Sequence, residues 1–137
     1  MSITTMRTSI KIVSALVLLA LFSACTVEQT AAIRIKGSAI PPQTSISKAA
    51  PVEIEANVEN TGNTTKFVKV TASGSEGIDV KKMDRDEFTL KPGEVRVVTF
   101  IGILKKDALP GKYIIELSAF ADGSAAKTEV EVRVTKD

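Results

Sequence analysis

The stretch Pro51-Val52-Glu53-Ile54-Glu55-Ala56-Asn57-Val58-Glu59-Asn60-Thr61-Gly62-Asn63 alternates without a break from Val52 to Glu59. Val52, Ile54, Ala56 and Val58 share one side, and Glu53, Glu55 and Asn57 share the other. A period of two is that of an extended strand with one face buried and one in water; a helix would repeat its apolar residues every three or four positions. The strand ends in Asn-Thr-Gly-Asn. Asn60 can hydrogen-bond its own turn backbone and Gly62 can take a left-handed conformation, so the chain is expected to reverse there.

The same texture continues toward the C-terminus. Val68, Val70 and Ala72 alternate with Lys69 and Thr71, and Val130, Val132 and Val134 alternate with Glu129, Glu131 and Arg133. Tyr113, Ile115, Leu117 and Ala119 form another set. Ile114 and Phe120 make that strand apolar on both sides, which predicts a central position in its sheet. Turn chemistry separates the runs at Ser73-Gly74, Lys91-Pro92-Gly93-Glu94, Pro110-Gly111 and Asp122-Gly123. In Pro92-Gly93 and Pro110-Gly111 the proline presets φ for the second turn position and the glycine accepts a positive φ at the third, so type II turns are expected at both. About seven or eight short strands between such turns, with no helical period, predict an all-β fold of two antiparallel sheets packed face to face. A barrel remains the alternative.

Toward the N-terminus the texture changes. Residues 25–50 mix Thr, Ser, Ala, Gln and Lys around Pro41-Pro42, and only Ile33 to Lys36 alternate, which reads as a linker with a possible edge strand. Residues 1–24 have the layout of a secretory signal: Arg7 and Lys11 with no acid, a mostly apolar run from Ile12 to Phe22, then Ser23 and Ala24 before Cys25. The apolar run is shorter than the ~20 residues of a spanning helix. Leu21-Phe22-Ser23-Ala24-Cys25 resembles the lipobox of prokaryotic lipoproteins, in which the cysteine is lipidated and becomes the new N-terminus; Phe22 departs from the usual aliphatic residue. The resemblance implies a helical signal peptide over 1–24 and a membrane anchor on Cys25. Two acyl chains would hold stably at ~0.8 kcal/mol per buried methylene. A spanning anchor, or an ordinary leader in which Cys25 is incidental, are the competing readings.

Read in order, Val58-Glu59-Asn60-Thr61-Gly62-Asn63, Leu90-Lys91-Pro92-Gly93-Glu94 and Leu109-Pro110-Gly111-Lys112-Tyr113 resemble the landmarks of immunoglobulin-like modules on prokaryotic surfaces. Those modules include the alpha-galactosidase-associated and bacterial cell-adhesion-related domains. The resemblance covers residues 51–137 and implies an immunoglobulin-like β-sandwich that binds or scaffolds without catalysis. Tyr113, at the start of a strand after a corner, is placed to bury its ring while its hydroxyl reaches an upstream main-chain group.

Charge and composition narrow the function further. Of 18 basic and 16 acidic residues, two bases lie in the leader, leaving 113 residues with no net charge. A nucleic-acid partner, which needs a concentrated basic excess, is therefore not expected. The sequence contains no histidine and no tryptophan, and its one cysteine is the proposed anchor. The usual general base, metal ligand and thiol nucleophile are thus missing from the predicted domain, so no enzyme activity and no cofactor are expected. Asp84, Asp86 and Glu87 are the one acidic cluster. They could supply part of a calcium site, although with Lys81, Lys82 and Arg85 beside them a solvated turn is the simpler reading. Asn63-Thr64-Thr65 is a glycosylation sequon on the predicted loop. Phe67, Ile114 and Phe120 are the apolar side chains that alternation leaves outside the core. Expected partners are the membrane, through Cys25, and an envelope protein or glycan. The alternative is a subunit that polymerises by strand exchange, with residues 26–50 completing a neighbour's sheet.

Overall fold

The computed structural model describes residues 32–137; the stretch 1–24 read as a signal peptide, and Cys25, lie outside the described residues. Nine strands form two sheets: β1 Ile33–Ile40, β2 Gln43–Ser45, β3 Val52–Asn60, β4 Lys66–Gly74, β5 Ile78–Lys82, β6 Glu87–Leu90, β7 Val95–Leu104, β8 Gly111–Ala121 and β9 Ser124–Thr135. One sheet has the order β1-β3-β7-β5 and the other β2-β9-β8-β4-β6. The fold is an immunoglobulin-like β-sandwich.

The alternation maps onto the two layers directly. Val52, Ile54, Ala56 and Val58 of β3 are buried, as are Val68 and Val70 of β4 and Val130, Val132 and Val134 of β9. They meet across the sandwich in one core that also holds Leu90, Val98, Phe100, Ile115 and Leu117. Burying a Val, Leu or Ile side chain fully stabilises by about 1.5 to 3 kcal/mol. β8 lies between β9 and β4, the central position expected of it, while its outward Ile114 and Phe120 stay half-buried and exposed respectively. At the core's edge Arg96 lies 4.9 Å from the centre of the Phe88 ring. The cation covers an aromatic face that would otherwise meet water.

Two strands come from the segment read as a linker. β1 pairs antiparallel with β3 along its whole length, from Ile33 opposite Asn60 to Ile40 opposite Glu53. Ile33 and Ile35 are buried and Gly37 lets the strand lie close: a Cβ there would stand 2.5 Å from Val130 Cγ2 and 2.7 Å from Leu117 Cδ1. β2 runs parallel to β9, with Thr44 opposite Val134, so the sandwich is not wholly antiparallel. Both strands complete this chain's own sheets. The segment that strand exchange would lend to a neighbour is thus occupied at home.

Between β8 and β9 the turn is a two-residue hairpin at Asp122-Gly123, with φ of 39° and 80° and Ala121 opposite Ser124. Positive φ at both positions is the geometry that matches strand twist, and Asp-Gly is a sequence that accepts it.

Candidate functional site

Strand direction gives the sandwich two ends. One holds Ala32, the 61–65 loop, the 91–94 turn and the Asp122-Gly123 hairpin; the other holds the segments 41–51, 75–77 and 105–110.

Asn60 organises the first end. Its side chain is fully buried and bonds its own turn backbone, as expected of it. Nδ2 donates to the carbonyls of Thr64 and Leu90, each at 2.9 Å, and Oδ1 accepts from the Gly62 amide at 3.0 Å. The amide thus closes its own loop and binds the end of β6. Its main chain joins the 91–94 turn as well, donating to the Glu94 carbonyl and accepting from the Gly93 amide. Gly62 does not take the left-handed conformation expected of it, since its φ is not positive. The side-chain bond from Asn60 turns the backbone instead. Asn63 is exposed on this loop.

Lys91-Pro92-Gly93-Glu94 is a hydrogen-bonded turn, with the Glu94 amide 3.0 Å from the Lys91 carbonyl and Gly93 at φ 78°, as type II geometry requires. Pro110-Gly111 differs: Gly111 has φ 151° and is already paired with Val134 as the first residue of β8. No type II turn forms there. The corner is held by Tyr113, whose hydroxyl donates to the Leu109 carbonyl at 2.6 Å and accepts from the Leu109 amide at 3.0 Å. The Tyr113 ring is buried against Gly77, where a Cβ would stand 2.7 Å from Cε1.

The acidic cluster is spread over three tasks. Asp84 Oδ2 accepts from the Thr99 amide at 2.9 Å, Asp86 pairs with Lys82 at 3.4 Å, and Glu87 pairs with Lys69 across the sheet at 3.5 Å. Each carboxylate therefore points to a different strand. Among the described residues no group of three or more His, Cys, Asp or Glu side chains is arranged to hold a metal ion.

What remains for recognition is surface. Phe67 and Phe120 are exposed on the outer face of the five-stranded sheet and flank a shallow hollow of about 400 Å³ that ends at Asp122-Gly123. Ile114 on the same face is half-buried. A second hollow, of about 360 Å³, lies at the far end between Glu76, Lys105, Asp107 and Leu109. A further exposed apolar feature is on the other sheet. β7 carries Val95, Val97, Thr99, Ile101 and Ile103 on its outward side, with Val95 53% and Val97 45% exposed. Met83, 60% exposed, joins them at the register position opposite Thr99. Sequence reading did not single out this stripe, because Val95 to Leu104 is apolar at nearly every position and shows no alternation. Such a run signals a strand covered on both faces. Among the described residues only one face is covered.

Comparison with protein-family profiles and with curated proteins finds no match for the chain. Solved structures match its fold at low identity. The alpha-2-macroglobulin of E. coli in its native conformation aligns with a TM-score of 0.64 and 10% identity over 77% of this chain and 7% of that one. A fragment of Escherichia coli alpha-2-macroglobulin from domain MG7 to the C-terminus gives 0.62 and 10% over 76% and 16%. A FixG-related protein from Vibrio parahaemolyticus gives 0.55 and 15% over 77% of this chain and 97% of that one. The chain spans a small part of the macroglobulins and nearly all of the FixG-related chain. At these identities the likeness establishes the sandwich architecture.

Proposed function

We propose that this chain is an exported lipoprotein whose sandwich serves, without catalysis, as a binding or scaffold module at the cell envelope. The observation that carries the reading is the point at which β1 begins. The Thr61 amide donates to the Ala32 carbonyl at 3.0 Å, so the chain enters the domain at the Asn60 end. Cys25 lies seven residues before Ala32, a reach of at most about 25 Å even when fully extended. Diacyl anchoring of Cys25 would therefore keep the Asn60 end within about 25 Å of the bilayer and leave the opposite end the farther from the anchor. That far end carries Leu109, 73% exposed, beside the hollow of Glu76, Lys105 and Asp107. An apolar side chain set among charges of both signs suits an envelope protein or a glycan.

Two further observations support the reading. The lipobox-like run and the three landmark motifs resemble exported surface modules, including the alpha-galactosidase-associated and cell-adhesion-related domains. The polar side chains most open to a chemical role are also engaged in closing the backbone: Asp84 on Thr99, Asn60 on Leu90 and Thr64, and Tyr113 on Leu109.

Fatty-acid labelling of the wild type and of Cys25→Ser tests the anchor; label is expected in the wild type alone, and equal incorporation refutes it. For orientation, a fluorophore is attached at Asn63 or at Leu109 in reconstituted vesicles containing headgroup-quencher lipids. Stronger quenching at Asn63 is expected, and equal quenching contradicts the proposed pose.

A further inference from the structure

The outward side of β7 is an unusual surface for a strand with water on that face. Exposed apolar side chains are ordinary when scattered, whereas a contiguous set marks a contact. Four of the eight large exposed apolar residues of the described chain sit on β7 or beside it: Met83, Val95, Val97 and Ile103. Register also orders the charges beside the stripe. Glu53 of β3, Ile101 of β7 and Lys81 of β5 stand in one row, with the carboxylate one strand to one side of Ile101 and the ammonium one strand to the other. Neither Glu53 nor Lys81 takes part in any ion pair among the described residues.

We propose that this face is a contact between two copies of this chain, packed sheet to sheet about a two-fold axis that runs along β7. Such an axis lays the stripe of β7 on itself and exchanges the strands on either side, so β3 of one copy faces β5 of the other. In the row of Ile101 this sets Glu53 over Lys81 of the partner subunit, and the symmetry makes the contact twice. A two-fold axis across the strands would instead lay β3 on β3, whose outward side carries Glu53, Glu55 and Glu59 and no cation. The charge pattern therefore selects one of the two symmetric packings. Aligned sheets pack about 10 Å apart and about 30° from parallel, which moves residues one strand from the axis by only about 2 to 3 Å. Long Glu and Lys side chains absorb that offset.

The face is about 34 Å long and 14 Å across, or roughly 500 Å² per copy, below the ~800 Å² per partner of a standard interface. Association is accordingly weak and concentration-dependent. It does not depend on the lipid anchor, and an anionic leaflet is a poor occupant because Glu53, Glu55 and Glu59 line the face.

The test is sedimentation of the full chain, purified in detergent as the exporting cell delivers it, from dilute to concentrated solution. A monomer–dimer equilibrium is expected, and Val97→Asp should abolish it with an unchanged melting temperature, since Val97 is exposed. Glu53→Lys alone and Lys81→Glu alone should each weaken association at least about tenfold, because each puts like charges across both contacts. Mixing these two variants should restore a dimer containing one copy of each. A wild type that stays monomeric when concentrated, a dimer indifferent to Val97→Asp, or a mixture that does not recover would each overturn the proposal.

Discussion

Asn60 donates to the main-chain carbonyl of Leu90 across 2.9 Å, thirty positions along the chain, and thereby joins the end of β3 to the end of β6 inside the sandwich. One buried amide fixes two loops at once. The 61–65 loop is wrapped around the acceptor and donors of Asn60, and the 91–94 turn is held by its main chain.

Asn60→Ala leaves the Leu90 and Thr64 carbonyls without their donor and should cost about 2 to 4 kcal/mol, read from chemical denaturation. Asn60→Asp should cost at least as much near neutral pH, because a carboxylate oxygen then faces two carbonyls. It should cost less in acid, where a protonated carboxyl can donate. Equal losses at both pH values would contradict the assigned hydrogen-bond directions.

Tyr113→Phe removes a hydroxyl that both donates to and accepts from Leu109, and should cost about 1 to 3 kcal/mol. The Leu109 amide should also exchange its hydrogen faster in the variant. An unchanged denaturation midpoint would show that the corner is held by ring packing alone.

Three glycines should respond differently to alanine. Gly93 has φ 78° and nothing within 4 Å of where a Cβ would stand, so Gly93→Ala should cost only the backbone strain of a left-handed residue, about 1 kcal/mol. Gly77→Ala meets both a φ of 99° and the Tyr113 ring at 2.7 Å, and should cost clearly more. Gly62→Ala has neither burden, its nearest neighbour being Asn60 Oδ1 at 3.4 Å, and should stay within about 0.5 kcal/mol of the wild type. Thermal melts of the three variants would rank them, and any other order would sink this account.

Calcium should leave the melting temperature unchanged, because a cation that bound only the folded state would raise it with occupancy. Asp84, Asp86 and Glu87 serve the Thr99 amide, Lys82 and Lys69 respectively. A calcium-dependent rise that Asp86→Asn removes would show that the three carboxylates can be drawn together after all.

Residue alternation alone specifies the strands and their faces wherever one side meets core and the other water. From Val52 to Val58 and from Val130 to Val134 the period of two is written in the side chains, and local sterics with burial suffice to read it. The acceptance of positive φ at Gly93 and at Asp122-Gly123 is likewise a property of the residues themselves. Tertiary structure decided the rest. Asn60 looks like any turn asparagine until β6 places the Leu90 carbonyl within its reach, and Gly62 is relieved of its left-handed role by that same side chain. Ile33 to Ile40 becomes a full strand because β3 offers an unpaired edge, and Pro110-Gly111 runs straight into β8 because Tyr113 holds the corner. The juxtaposition of Glu53, Ile101 and Lys81 belongs to no local segment. Their sequence separations carry no period; only the register of three paired strands brings an acid, an apolar side chain and a base into one row.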